Sequence, residues 1–127
     1  MRPLILALLI SSLAGCVNPF DPGREITLEV SDVAAPASVS PSGPLSITLT
    51  VVSGGCRRFD GIKATRASNK LTLEARGIDS SGPTTSCTTD IRFEPKTYEA
   101  QGPFTDPFVI TVVQPNGNLV TRTIRVQ

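Results

Sequence analysis

Few side chains in this sequence are suited to covalent chemistry, and the first to consider are its three cysteines, Cys16, Cys56 and Cys87. A cysteine thiolate can act as a nucleophile, as a metal ligand or as half of a disulfide, and its surroundings decide between these uses. No pair has the Cys-x-x-Cys spacing of redox motifs. The chain has no histidine, which excludes Ser-His-Asp and Cys-His catalysis and His-based zinc sites.

Cys16 stands directly after a short apolar segment at the N-terminus. Arg2 gives this segment a positive start, residues 4–13 are hydrophobic but too few to span a bilayer, and small residues precede the cysteine. The motif Leu13-Ala14-Gly15-Cys16 resembles the lipobox of bacterial lipoprotein signal peptides. The alternative is an ordinary secretory signal peptide in which Cys16 is incidental.

The resemblance implies a small bacterial envelope lipoprotein with lipid on Cys16. In that family a peptidase cleaves before the cysteine, whose sulfur carries diacylglycerol and whose new amino group usually carries a third acyl chain, such as palmitate. Two acyl chains hold a protein stably at a bilayer, whereas one holds it only marginally. We therefore expect a lipid-anchored protein of the cell envelope, on the outer or cytoplasmic membrane, facing the periplasm or the cell exterior.

The remaining chain is long enough for one domain. Residues 1–15 are the predicted lipoprotein signal peptide, residues 16–24 a lipidated tether containing Pro and Gly, and residues 25–127 a single domain. The sequence has 12 Lys and Arg against 11 Asp and Glu, and cleavage removes Arg2. The mature chain is then nearly neutral, which argues against nucleic acid, or a membrane bound by charge, as the partner.

With Cys16 assigned to lipid, Cys56 and Cys87 form an even pair in an exported chain. An even pair in an oxidising compartment predicts a disulfide, with a reactive thiol pair as the alternative. Closing a loop of this length would stabilise the fold by about 3 to 4 kcal/mol through lost chain entropy in the unfolded state.

Short segments that alternate apolar and polar residues make up the domain, and no segment has the spacing of an amphipathic helix. Strands are predicted over residues 25–30, 45–52, 57–65, 69–76, 88–94, 108–114 and 118–126, with shorter pieces at 37–39 and 97–100. Residues 77–86 predict a long loop. About seven short strands predict an all-β fold, an antiparallel β-sandwich of immunoglobulin-like or fibronectin-like arrangement.

The register of the last two strands is predicted by the turn between them. Pro115-Asn116-Gly117 suits a type I turn followed by a left-handed residue. This three-residue loop places Gln114 opposite Asn118 and, further along, Phe108 opposite Ile124. A two-residue loop would shift the pairing by one residue and place charged residues opposite apolar ones.

Carboxylates are the remaining candidates for catalysis. Asp60, Asp79, Asp90 and Asp106 all lie near predicted turns, where Asp is common because it hydrogen-bonds the backbone, and they form no motif. The sequence has no phosphate loop, calcium loop or Gly-x-Ser-x-Gly elbow. No cofactor is predicted.

Tyr98, Phe104 and Phe108 can form an exposed aromatic patch or part of the core, and the usual burial of Phe favours the core. We expect a non-catalytic structural or protein-interaction module, anchored through Cys16, whose loops or edge strands contact another envelope protein. The alternative is a module that binds a small ligand or inhibits a secreted protease through residues 77–86. An enzyme is disfavoured because histidine is missing.

Overall fold

The computed structural model describes residues 23–127, which contain nine β-strands and no helix. The predicted all-β fold is confirmed, and the nine strands compare with seven predicted strands and two predicted shorter pieces. No helix in this part of the chain is long and apolar enough to cross a membrane. The strands are β1 (Arg24–Thr27), β2 (Val30–Ala34), β3 (Ser38–Val39), β4 (Leu45–Ser53), β5 (Arg57–Ala67), β6 (Lys70–Asp79), β7 (Arg92–Ala100), β8 (Phe108–Val113) and β9 (Leu119–Val126).

The nine strands form two packed sheets. In the six-stranded sheet, β5 pairs along one side of β6, whereas β1 and β8 share the other side. Beyond β8 follow β9 and the short β3. The second sheet has β4 between β2 and β7. The predicted β-sandwich is confirmed, but the pairs β6–β8 and β3–β9 are parallel, so it is not antiparallel throughout.

One hydrophobic core joins the two sheets. Every second residue of β4 from Leu45 to Val51 is fully buried, as the alternation predicts. These side chains cluster with alternate residues of β6 and β8 from the other sheet. Removing apolar surface from water stabilises the fold, so this cluster is what holds the sheets together. It consists of Leu28, Val30, Val33, Val39, Leu45, Ile47, Leu49, Val51, Leu71, Leu73, Ala75, Ala100, Phe104, Phe108, Ile110, Val112 and Ile124.

The single strand predicted over residues 25–30 is wrong, because the chain changes sheets within it. The Leu28 N–H donates to Ala75 O of β6 at 2.8 Å, whereas Glu29 O accepts from Val52 N of β4 at 2.9 Å. Both Leu28 and Val30 are buried. Apolar and polar residues alternate in the same way whether a strand stays in one sheet or crosses to the other sheet. The sequence therefore does not indicate the break between β1 and β2.

Strand β7 merges the two pieces predicted over residues 88–94 and 97–100. It begins later than expected, at Arg92, and continues through Pro95, which pairs with Thr50. Among the strands of residues 23–127, β7 pairs only with β4 and is an edge strand, where proline is tolerated because one row of backbone donors needs no partner strand. The predicted short strand at residues 37–39 is confirmed as β3.

The predicted hairpin register is confirmed. Gln114 N donates to Asn118 O at 2.9 Å, and Phe108 pairs with Ile124. Gly117 N closes the turn on Gln114 O at 3.0 Å, and Gly117 has the left-handed φ of 82° that the turn requires.

Candidate functional site

Five strand ends meet at one end of the sandwich, which we call the disulfide end. Strands β4 and β6 finish there, at Ser53 and Asp79, and β1, β5 and β7 begin there. The register fixes this convergence: Arg24 and Arg57 both lie opposite Asp79, and Arg92 lies opposite Ser53. Side chains from distant parts of the sequence are therefore collected at this end.

The tight turn from β4 to β5 depends on two glycines. Gly54 and Gly55 have φ values of 120° and 61°, which other residues rarely adopt. A Cβ on Gly54 would lie 2.2 Å from Asp90 O, so the segment before β7 packs directly on this turn. Hydrogen bonds between Gly54 and Arg57, at 3.1 and 3.0 Å, close the turn.

Cys56 follows these glycines and is joined to Cys87, as predicted. The two Cα atoms are 5.2 Å apart, within the normal range for a disulfide. The Ser80 N–H donates to Cys56 O at 3.0 Å, so the start of the long loop is held to the same turn. The bond therefore ties the β4–β5 turn to the middle of the segment between β6 and β7.

Asp79 is engaged in structural contacts at the end of β6. It accepts a hydrogen bond from Ser81 N at 2.8 Å, and its carboxylate lies 3.6 Å from the Arg24 guanidinium and 3.7 Å from that of Arg57. The hydroxyl of Ser81 lowers the pKa of Asp79 most, and the Ser81 N–H and the two arginine charges lower it further. Asp79 is therefore ionised at neutral pH.

Asp90 has a similar role just before β7. Its carboxylate accepts from the Thr88 hydroxyl and from Gly55 N at 3.2 Å, and it lies 3.4 Å from the Arg92 guanidinium. These groups lower the pKa of Asp90, with the Thr88 hydroxyl contributing most. Its contact with Gly55 helps to hold the loop against the glycine turn.

The two carboxylates line a shared cavity of about 420 Å³ beside the disulfide, but the cavity lacks an acid–base pair. A hydrolase that uses two carboxyl groups needs one with a raised pKa to act as the acid. The pKa values of Asp79 and Asp90 are both lowered. Among residues 23–127, no group of three or more His, Cys, Asp and Glu is placed to hold a metal ion.

Two large apolar side chains at this end face solvent. Ile91 is 68% exposed and Phe93 is 63% exposed. Phe93 lies opposite Val52 on the outer face of the smaller sheet, while the inward positions of β7 hold Glu94, Lys96, Tyr98 and Ala100. The alternation over residues 88–94 predicts Ile91 and Phe93 on a strand but does not indicate that they lie at the surface.

The other two candidate carboxylates, Asp60 and Asp106, do not line the cavity beside the disulfide. Asp106 accepts from Val126 N at 2.7 Å. Asp60 does not lie near a turn as predicted but within β5, where the register with β6 shifts between Phe59 and Gly61. The structure brings only Asp79 and Asp90 together.

The three aromatic residues considered for an exposed patch, Tyr98, Phe104 and Phe108, lie in or against the core, as favoured. Phe104 and Phe108 are buried with their rings 4.9 Å apart, and Tyr98 packs against the core. The Arg66 guanidinium lies 4.8 Å from the Phe104 ring and 4.9 Å from that of Phe108. Arg66 also donates to Pro103 O at 2.6 Å, so it fixes the loop before β8.

The predicted loop over residues 77–86 begins later than expected, because β6 extends to Asp79. The segment between β6 and β7 then runs over residues 80–91 and is almost wholly exposed. Cys16 lies outside the described residues, so the predicted lipid site and the signal peptide stay predictions.

Comparisons with known proteins returned no family model, no curated protein and no solved structure that matches this chain. The immunoglobulin-like or fibronectin-like arrangement therefore stays a prediction, and the β-sandwich itself is the level of classification that the structure supports.

Proposed function

We propose that this chain is a lipid-anchored bacterial envelope protein whose β-sandwich is non-catalytic and acts by contact with another envelope component through the disulfide end. The observation that carries the proposal is the exposure of Ile91 and Phe93 beside that end. Exposed apolar side chains that lie together mark surfaces that contact a protein or a membrane.

The state of the carboxylates supports contact over catalysis. Asp79 and Asp90 each accept a hydrogen bond from a backbone N–H, and each has a lowered pKa; Asp79 lies beside two arginines and Asp90 beside one. A carboxylate in that state can accept hydrogen bonds but cannot serve as a general acid at neutral pH. Their bonds shape the turn and the loop on which Ile91 stands.

The core and the cavities also favour contact over small-ligand binding. The buried apolar residues form one cluster. A cavity of about 700 Å³ near the β8–β9 turn is lined partly by the polar residues Glu29, Gln114, Asn116 and Asn118. Ligand pockets are usually apolar clefts with a few polar groups, which this lining does not resemble.

Inhibition of a secreted protease is the second candidate. The exposed segment 80–91 is joined by the disulfide to the β4–β5 turn. Restraining a loop in advance lowers the entropy lost on binding. Retention of activity by a panel of secreted serine proteases mixed with the protein would eliminate this candidate for those enzymes.

The lipid anchor is tested by replacing Cys16. We expect wild-type protein to incorporate labelled palmitate and to enter the detergent phase on partitioning, and Cys16→Ser to do neither. Equal partitioning of the two forms would refute the anchor.

The contact surface is tested with a photo-crosslinking amino acid placed at Phe93 in intact cells. The matched control carries it at Ser68, an exposed residue in the turn between β5 and β6. We expect adducts, with protein or with lipid, at position 93 and few at position 68. Equal yields at the two positions would contradict a contact role for the disulfide end.

A further inference from the structure

The start of β1 lies at the disulfide end, and its position determines which end of the domain is closer to the proposed anchor at Cys16. Strand β1 starts at Arg24, which pairs with Asp79 at the disulfide end. The Arg24 guanidinium also donates to the Ser81 hydroxyl at 3.2 Å. The segment that leads back to Cys16 therefore leaves the sandwich at the same end as the disulfide, Ile91 and Phe93.

The length of the tether limits how far the disulfide end can move from the bilayer. Seven residues, 17–23, separate Cys16 from Arg24. A fully extended residue spans at most about 3.5 Å, so the start of β1 lies within about 28 Å of the lipid-bearing cysteine. Strand β6 alone has 10 residues and is about 30 Å long. A lipid on Cys16 therefore holds the disulfide end within about 28 Å of the bilayer, whereas the opposite end, at the β5–β6 turn, lies a further strand length from the attachment point.

The chemistry of the disulfide end suits the headgroup region of a bilayer. The ten residues from Ser80 to Thr89 carry no charged side chain. Ile91 and Phe93 offer apolar groups, and the exposed Arg24, Arg57 and Arg92 lie at the same end of the sandwich with long apolar stems and charged tips.

Asp79 and Asp90 balance much of the arginine charge at this end. Contact there consequently depends on the apolar side chains more than on anionic lipid. This agrees with the near-neutral composition, which argued against a membrane bound by charge.

We propose that the disulfide end faces the bilayer that holds the lipid of Cys16, and that Ile91 and Phe93 insert into its headgroup region. This inference rests on the lipid anchor of the proposed function. It names the bilayer, and not a second protein, as the component that the disulfide end contacts.

The absence of tryptophan from the sequence allows a direct test. Phe93→Trp, in the lipidated protein reconstituted into phosphatidylcholine vesicles, places a single reporter at the proposed contact. Ser68→Trp reports from the far end. Leu119→Trp is the matched apolar control, because Leu119 is also exposed, at 58%, but lies away from the disulfide end. It pairs with Val113, and Val113 pairs with Glu74, which is about 17 Å along β6 from Asp79.

Flotation with the vesicles is measured first, and tryptophan emission is then recorded with and without lipids brominated near the headgroup. We expect the emission of the Phe93→Trp variant to shift to shorter wavelength and to be quenched by these lipids. The emission of the Ser68→Trp and Leu119→Trp variants should do neither. Far-UV circular dichroism and thermal unfolding confirm that each variant is folded.

The outcomes separate the two proposals. If Phe93→Trp protein floats with vesicles while its emission stays unshifted and unquenched, the docking is overturned and the anchor stands. Equal quenching in all three variants would also overturn the docking, since the domain would then lie on the surface without preference. Protein that does not float would refute the anchor and the docking together.

Discussion

Removal of the Cys56–Cys87 bond should weaken the fold without abolishing it. The bond closes a loop with a sequence separation of 31. Loop-closure entropy for about 31 residues amounts to roughly 12 cal/mol/K, or about 3.7 kcal/mol at 25 °C. Since domains of this kind are stable by only about 5 to 15 kcal/mol, the bond supplies a large share of the total.

The native contacts around the bond explain why the folded state should persist. Cys56 O accepts from Ser80 N, Gly54 and Arg57 close their turn, and Asp90 holds Gly55 N, all without the sulfurs. The loss should therefore arise mainly in the unfolded chain, with the strands unchanged.

The measurement is guanidinium unfolding of Cys56→Ala/Cys87→Ala, followed by circular dichroism. Both this variant and its reference carry Cys16→Ser, so that no lipid or free thiol complicates the comparison. With a denaturant dependence of roughly 2 to 4 kcal/mol per molar, the midpoint should fall by about 1 to 2 M. A loss below about 1 kcal/mol would refute the reasoning, since it would mean that the loop is already restrained in the unfolded chain.

Three further predictions concern the core, the glycine turn and pH. Phe108→Ala should lower the free energy of unfolding by about 3 to 5 kcal/mol because the ring is fully buried, whereas Phe93→Ala should change it by no more than about 0.5 kcal/mol. Equal losses in chemical unfolding would contradict the assignment of Phe108 to the core and Phe93 to the surface. Gly54→Ala should lower the free energy of unfolding by about 1 to 3 kcal/mol, because φ at this position is 120° and a Cβ would meet Asp90 O. Gly61→Ala should be nearly neutral, because nothing lies within 4 Å of a Cβ placed there. Thermal unfolding of both variants tests the contrast. Because the pKa of Asp79 is lowered, its stabilising contribution is present above the unfolded-state pKa of about 3.9 and is lost as the pH falls through the folded-state pKa. Asp79→Asn should therefore be less stable than wild type at pH 7, and this difference in stability should shrink in acid. A difference that stays constant from pH 7 to pH 2 would show that the charge of Asp79 does not contribute.

The elements that could be predicted are those with short-range signals. Strand β4 was recognised from its strict alternation, and the β8–β9 register from the turn residues around Gly117. Both signals are local, since a pleated strand exposes alternate residues and a turn fixes the pairing of its neighbours. The disulfide was predicted from cysteine count and export rather than from geometry.

The disulfide end could not be predicted because long-range pairing assembles it. Arg24 meets Asp79 only because β1 pairs with β6, and no local pattern indicates that pairing. Ile91 and Phe93 have the alternating spacing of residues that face the core. The side chains of β7 that do face the core are instead the other alternate set, since Tyr98 and Ala100 lie opposite the buried Ile47 and Leu45. The buried Ser53 hydroxyl donates to the Glu94 carboxylate at 2.6 Å, and this hydrogen bond stabilises the arrangement in which Glu94, and not Phe93, faces inward.

The crossing of the chain between sheets at Leu28 and Glu29 links the fold to the proposed orientation. Because the chain changes sheets there, the segment before the crossing is only four residues long and pairs with the last residues of β6. Had residues 25–30 continued in one sheet, β1 would have extended further along β6, into the place where β8 pairs with residues 70–74. The parallel β8 thus confines β1 to the disulfide end. A lipid at Cys16 would then set which end of the sandwich meets the membrane through strand order alone, with Ile91 and Phe93 as the apolar groups that this order brings to the surface.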